Sequence, residues 1–67
     1  MTKLQTHLIR EEKTIRKTIK ALAKFVSESD VYRNLGSIER QMLFDELRIR
    51  RQLVELLAER IRLFHDT

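Results

Sequence analysis

The stretch "FVSESDVYRNLGSIERQ", residues 25–41, holds the chain's only glycine, Gly36, and no proline occurs anywhere. A helical pattern runs up to it from either side, so its reading decides the fold. Before it, Leu8, Ile15, Ile19, Leu22 and Val26 recur at steps of three and four, after one skipped turn at Glu11 and Glu12. Leu4, Ala23 and Phe25 widen that stripe at its ends. Apolar residues at this period mark one face of a 3.6-residue helix, and good helix formers fill the rest. The spacing predicts a first helix over residues 4–27.

After the stretch, two apolar stripes run side by side. Leu43, Leu47, Val54, Leu57, Ile61 and Phe64 form one, interrupted at Arg50. Met42, Ile49, Leu53, Leu56 and Leu63 form the other, interrupted at Glu46 and Arg60. Polar residues such as Gln41, Arg48, Gln52 and Glu59 fall opposite, with Glu55 near Arg51 and Glu59 near Arg62 as pairs within one turn. This predicts a second helix over residues 37–65. It starts with either Gly36 or Ser37 at N-cap. Gly36 there puts Glu39 at the third helical position, where its charge suits the helix dipole; Ser37 is the better cap but puts Arg40 there. Between the helices, Asp30 and Asn34 are turn-forming types, a short helical turn fits residues 29–34, and Leu35 is expected to fold under and close the core. Tyr32 and Arg33 have no evident structural task, so a partner contact at the corner would fall on them.

The expected fold is all-α: an antiparallel helical hairpin in one domain, residues 1–67, with helices roughly 36 Å and 43 Å long. A chain of 67 residues without cysteine has neither a disulfide framework nor a thiolate metal site. Chains below roughly 70–80 residues usually need some such staple, and oligomerisation is the one left. The second helix points the same way. One neighbouring helix covers one seam, so Met42, Ile49, Leu53, Leu56 and Leu63 are expected to form an oligomer interface, in a four-helix-bundle homodimer, with a higher oligomer or an obligate heteromer as the alternative. Glu46 and Arg50 would pack their stems and send their heads to water or across that interface, or else set the register between subunits.

Charge is unevenly placed. Residues 1–26 carry seven basic side chains against two acids, a net of +5, and residues 27–67 carry a net of −1. Every lysine lies in the first helix. Arg10, Lys13, Lys17, Lys20 and Lys24 share one face there. Such a face can follow a phosphate backbone without reading sequence, bind an acidic protein, or simply keep a small oligomer soluble. His7 and His65 lie near the helices' free ends and do not by themselves make a metal site.

No P-loop, HExxH or Ser/His/Asp set is present, and a two-helix chain leaves no room for an enclosed catalytic pocket. A non-enzyme without a cofactor is expected. No run approaches the ~18 apolar residues of a membrane span, and the first residues lack the apolar core of a secretory signal, which predicts a cytoplasmic protein.

From Phe25 to Ile61 the chain resembles small helical accessory proteins of tailed bacteriophages. The resemblance is carried by Phe25, Ser27, Tyr32, Leu35, Glu39, the Met42–Leu43 pair and the closing Leu57, Arg60 and Ile61. It implies an early-region or accessory product acting in the host cytoplasm by binding a host or phage macromolecule, and it transfers no functional residue.

Overall fold

The computed structural model describes residues 2–66, apart from the side chain of Asp66. Within them the chain is all-α, with helices α1 (Lys3–Glu28), α2 (Asp30–Arg33) and α3 (Ser37–Asp66) and no strand. α1 packs beside α3, giving a rod 48 Å long and 15 × 14 Å across. Thirty residues of α-helix span about 45 Å, so α3 alone accounts for the rod's length.

α1 starts earlier than the apolar stripe indicates because Thr2 and Gln5 form a capping box. The Gln5 N–H donates to Thr2 Oγ1 at 3.2 Å and the Thr2 N–H donates to Gln5 Oε1 at 2.8 Å. Two of the helix's orphan donors are thereby satisfied. The T-x-x-Q spacing in the sequence is the local signal for this start. Within α1, the hydroxyls of Thr6, Thr14 and Thr18 donate back to carbonyls three or four residues earlier.

Ser29 divides α1 from α2. Its extended backbone (φ −80°, ψ 130°) stops α1, and its hydroxyl accepts from the N–H groups of Val31 and Tyr32 at 3.1 and 3.4 Å. Leu35 is half-buried beyond α2, as is Tyr32, while Val31 stays exposed.

Of the two possible starts for the last helix, the chain uses Gly36. Its carbonyl accepts the Arg40 N–H at 3.0 Å, and Glu39 stands in the first turn. The glycine is not required by backbone geometry: its φ is not positive, and a Cβ there would meet nothing within 4 Å. Gly36→Ser would complete a capping box with Glu39 and remove unfolded-state freedom. It should therefore gain about 0.5–1 kcal/mol. A thermal melt checks this; an unchanged or lower midpoint would place the cap elsewhere.

The core is one seam. Leu8, Leu47, Val54 and Leu57 are buried, Leu8 and Leu57 to 1% exposure. Leu43, Ile61 and Phe64 on α3 and Ile15, Ile19, Leu22 and Val26 on α1 are half-buried around them. Leu4 departs from the expected stripe: at the free end of α1 it is 51% exposed.

Candidate functional site

The two α3 stripes differ sharply in environment. The first faces α1. The second, Met42, Ile49, Leu53, Leu56 and Leu63, stays between 37% and 65% exposed, and Ile38, one turn before Met42 and not counted in the expected stripe, joins that side at 76%. Beside it runs an open groove of about 600 Å3 lined by Ile15 of α1 with Met42, Asp45, Glu46, Ile49, Arg50 and Leu53. Single exposed apolar residues are ordinary; a continuous row of them along one helix is what protein surfaces bury against partners.

Arg50 behaves differently from its expected role. Its head binds the neighbouring helix of the same chain. Nη1 donates to Thr18 Oγ1 on α1 at 2.8 Å, and Nε donates to Glu46 Oε2 at 3.2 Å. Thr18 in turn donates to the Ile15 carbonyl at 2.8 Å. The register held by this chain of bonds lies between α1 and α3 of one chain. A guanidinium is long enough to leave the α3 stripe and reach the neighbouring helix, which residue spacing alone does not reveal. Thr18 carries no sequence signal beyond its place near the α1 stripe.

The basic face is intact. Arg10, Lys13, Lys17, Lys20 and Lys24 are all exposed, and none has a carboxylate within 4 Å among the described residues. At 100° per residue they occupy an arc on the far side of α1 from Leu8, Ile15 and Ile19. The nearby acids are engaged elsewhere: Glu11 lies 3.6 Å from His7, and Glu12 pairs with Arg16. Lys3 stands beside Arg10, and Arg51 of α3 stands beside Lys20, so both extend the basic surface. Elsewhere, Asp30, Asp45 and Glu59 pair with Arg33, Arg48 and Arg62. The hydrogen bond from Arg62 holds the Glu59 carboxyl below its ordinary value, whereas Arg51 and Glu55 share a groove without an ion pair.

At the corner, Tyr32 and Arg33 both have structural tasks, contrary to the sequence reading. The Tyr32 ring meets Phe25 edge-on at 6.0 Å, and its hydroxyl donates to the Arg40 carbonyl at 3.3 Å, tying α2 to the first turn of α3. Arg33 donates to the Glu28 carbonyl at 3.2 Å and to Asp30 at 2.7 Å, satisfying one of the orphan carbonyls at the end of α1. These partners lie three to eight residues away, beyond what a period-based reading resolves. Tyr32 also lines a shallow hollow with Ser37, Arg40, Gln41 and Phe44; Arg33 is not part of it.

His65 is exposed near the end of α3, and no group of three possible metal ligands occurs among the described residues. No helix among the described residues is long and apolar enough to cross a membrane. No family model matches the chain, and neither a curated protein nor a solved structure is significantly similar to it.

Proposed function

We propose that this chain is a non-enzymatic interaction protein that works as a homodimer. In this reading the chain folds as an antiparallel helical hairpin, and two hairpins pack through the exposed α3 face into a four-helix bundle. The observation that carries it is the row of five α3 side chains, Met42 to Leu63, left open by α1. Wetting such a row forfeits roughly 25 cal/mol for each Å2 of apolar surface, and a two-fold pairing recovers it on both chains at once. Light scattering behind size exclusion tests this: the expected mass is that of two chains, and a monomer at micromolar concentration would sink the proposal.

The spacing-level resemblance over residues 25–61 supports placing this dimer among accessory proteins of tailed bacteriophages. There it would bind a host or phage macromolecule in the bacterial cytoplasm. Capture from a bacterial lysate, lost on substitution of the hollow beside Tyr32 and Phe44, would give that reading its partner. Recovery of no partner above a mock column would count against it.

The exposed cations Arg10, Lys13, Lys17, Lys20 and Lys24 on α1 support a second reading, a surface that binds nucleic acid through its phosphates. Contact with five phosphates predicts a loss of duplex affinity on the order of 500-fold between 50 and 200 mM salt. Reversing Lys13, Lys17 and Lys20 to glutamate should abolish that binding and leave the dimer's mass unchanged. Fluorescence anisotropy with an arbitrary duplex reads the binding and light scattering the mass, and affinity that ignores salt rules this surface out.

A further inference from the structure

The exposed α3 face has an internal symmetry. Met42, Ile49, Leu56 and Leu63 recur every seven residues, and Glu46, Leu53 and Arg60 form a second column with the same repeat. Together they make a heptad seam, apolar except at Glu46 and Arg60, the pattern of a helix that pairs with another helix. Leu53 is its midpoint. Turning α3 end for end about Leu53 lays Met42 near Leu63 and Ile49 near Leu56, and it exchanges Glu46 with Arg60.

We infer that two copies of this chain pair α3 against α3 in antiparallel orientation about a two-fold axis at Leu53, with Glu46 of each chain opposite Arg60 of the partner subunit. The inference rests on the homodimer reading above and specifies its orientation and register. Charge complementarity carries it. Arg60 sits in the middle of the apolar face, exposed, with no carboxylate within 4 Å among the described residues. Glu46 pairs with Arg50, no other cation lies within 4 Å of it among the described residues, and its side chain is 49% exposed. A charge buried in an apolar seam without a counter-charge is costly, so the pairing that supplies one is selected. The antiparallel pairing supplies two. A parallel in-register pairing stacks Glu46 on Glu46 and Arg60 on Arg60, and repulsion acts against it at both places.

The absence of native cysteine makes the test direct. Leu53→Cys, Ile49→Cys and Leu56→Cys are each prepared as full-length protein and oxidised mildly. Leu53→Cys should link to itself. Ile49→Cys and Leu56→Cys should link to each other in a mixture and neither to itself, because antiparallel pairing about Leu53 separates identical positions by about 12 Å and about 9 Å along the axis, beyond disulfide reach. Self-linking at positions 49 and 56 without cross-linking would overturn the orientation and leave the dimer reading intact. A dimer that forms none of these links would overturn this seam as the interface. A wild-type chain that scatters as a monomer would instead overturn the dimer reading itself. A second measurement avoids oxidation. Arg60→Glu should weaken the dimer by about tenfold or more, and adding Glu46→Gln should recover most of that loss, since the new repulsion is removed. Effects of the two changes that merely add would overturn the pairing.

Discussion

Leu57→Ala should remove a large share of the chain's stability. Leu57 is 1% exposed, as is Leu8, and among the described residues these are the largest side chains sealed between α1 and α3. Removing a buried leucine to alanine costs about 2–5 kcal/mol, because transfer energy is lost and a cavity remains. A chain of this length has a total stability of roughly 3–10 kcal/mol at ~0.05–0.15 kcal/mol per residue. The substitution therefore removes a large share of all there is. Far-UV circular dichroism with urea titration reads the effect, and Gln52→Ala on the polar side of the same helix serves as the control. Gln52 is exposed, so its replacement should change stability by no more than about 0.5 kcal/mol. Equal effects at the two positions would mean that the seam between α1 and α3 is not the core.

The second large effect concerns association. Leu53→Asp combined with Leu56→Asp should convert the dimer to monomers. Leu53 and Leu56 are 37% and 56% exposed in the single chain, so neither belongs to the buried α1–α3 seam. In a two-fold dimer each substitution occurs twice, placing four carboxylates where four leucines would meet. At about 1–2 kcal/mol for each leucine withdrawn from the interface, the dissociation constant should rise by about a thousandfold or more. Light scattering across a concentration series measures it, with circular dichroism on the same samples to follow helix content. A variant that remains dimeric would exclude this face from the interface. Charge reversal on α1 provides the opposite control, because it alters the far side of the rod and should leave the mass alone.

Much of the architecture is legible in residue order. The three-and-four spacing of Leu8 to Val26 and of Leu43 to Phe64 is a consequence of helical geometry, so it places both long helices to within a few residues. The capping box at Thr2 and Gln5 is equally local, and it accounts for the earlier start of α1. The basic face is legible for the same reason, since Arg10 to Lys24 share a face through helical period alone.

Other features depend on which surfaces come together. Spacing marks two apolar stripes on α3 without ranking them; α1 lies against Leu47, Val54 and Leu57, and that packing alone leaves Met42, Ile49 and Leu56 open. By spacing, Arg50 interrupts a core stripe; in the fold, Thr18 stands 2.8 Å from its guanidinium, across the seam between helices. Tyr32 has no task that spacing reveals, yet its hydroxyl meets the Arg40 carbonyl. The division has a physical cause. Period, capping and charge pattern arise from interactions within a few residues along the chain, so the sequence by itself determines them. Burial, and the partner of a long polar side chain, depend on distances between segments far apart in sequence, and only the packed tertiary structure decides those.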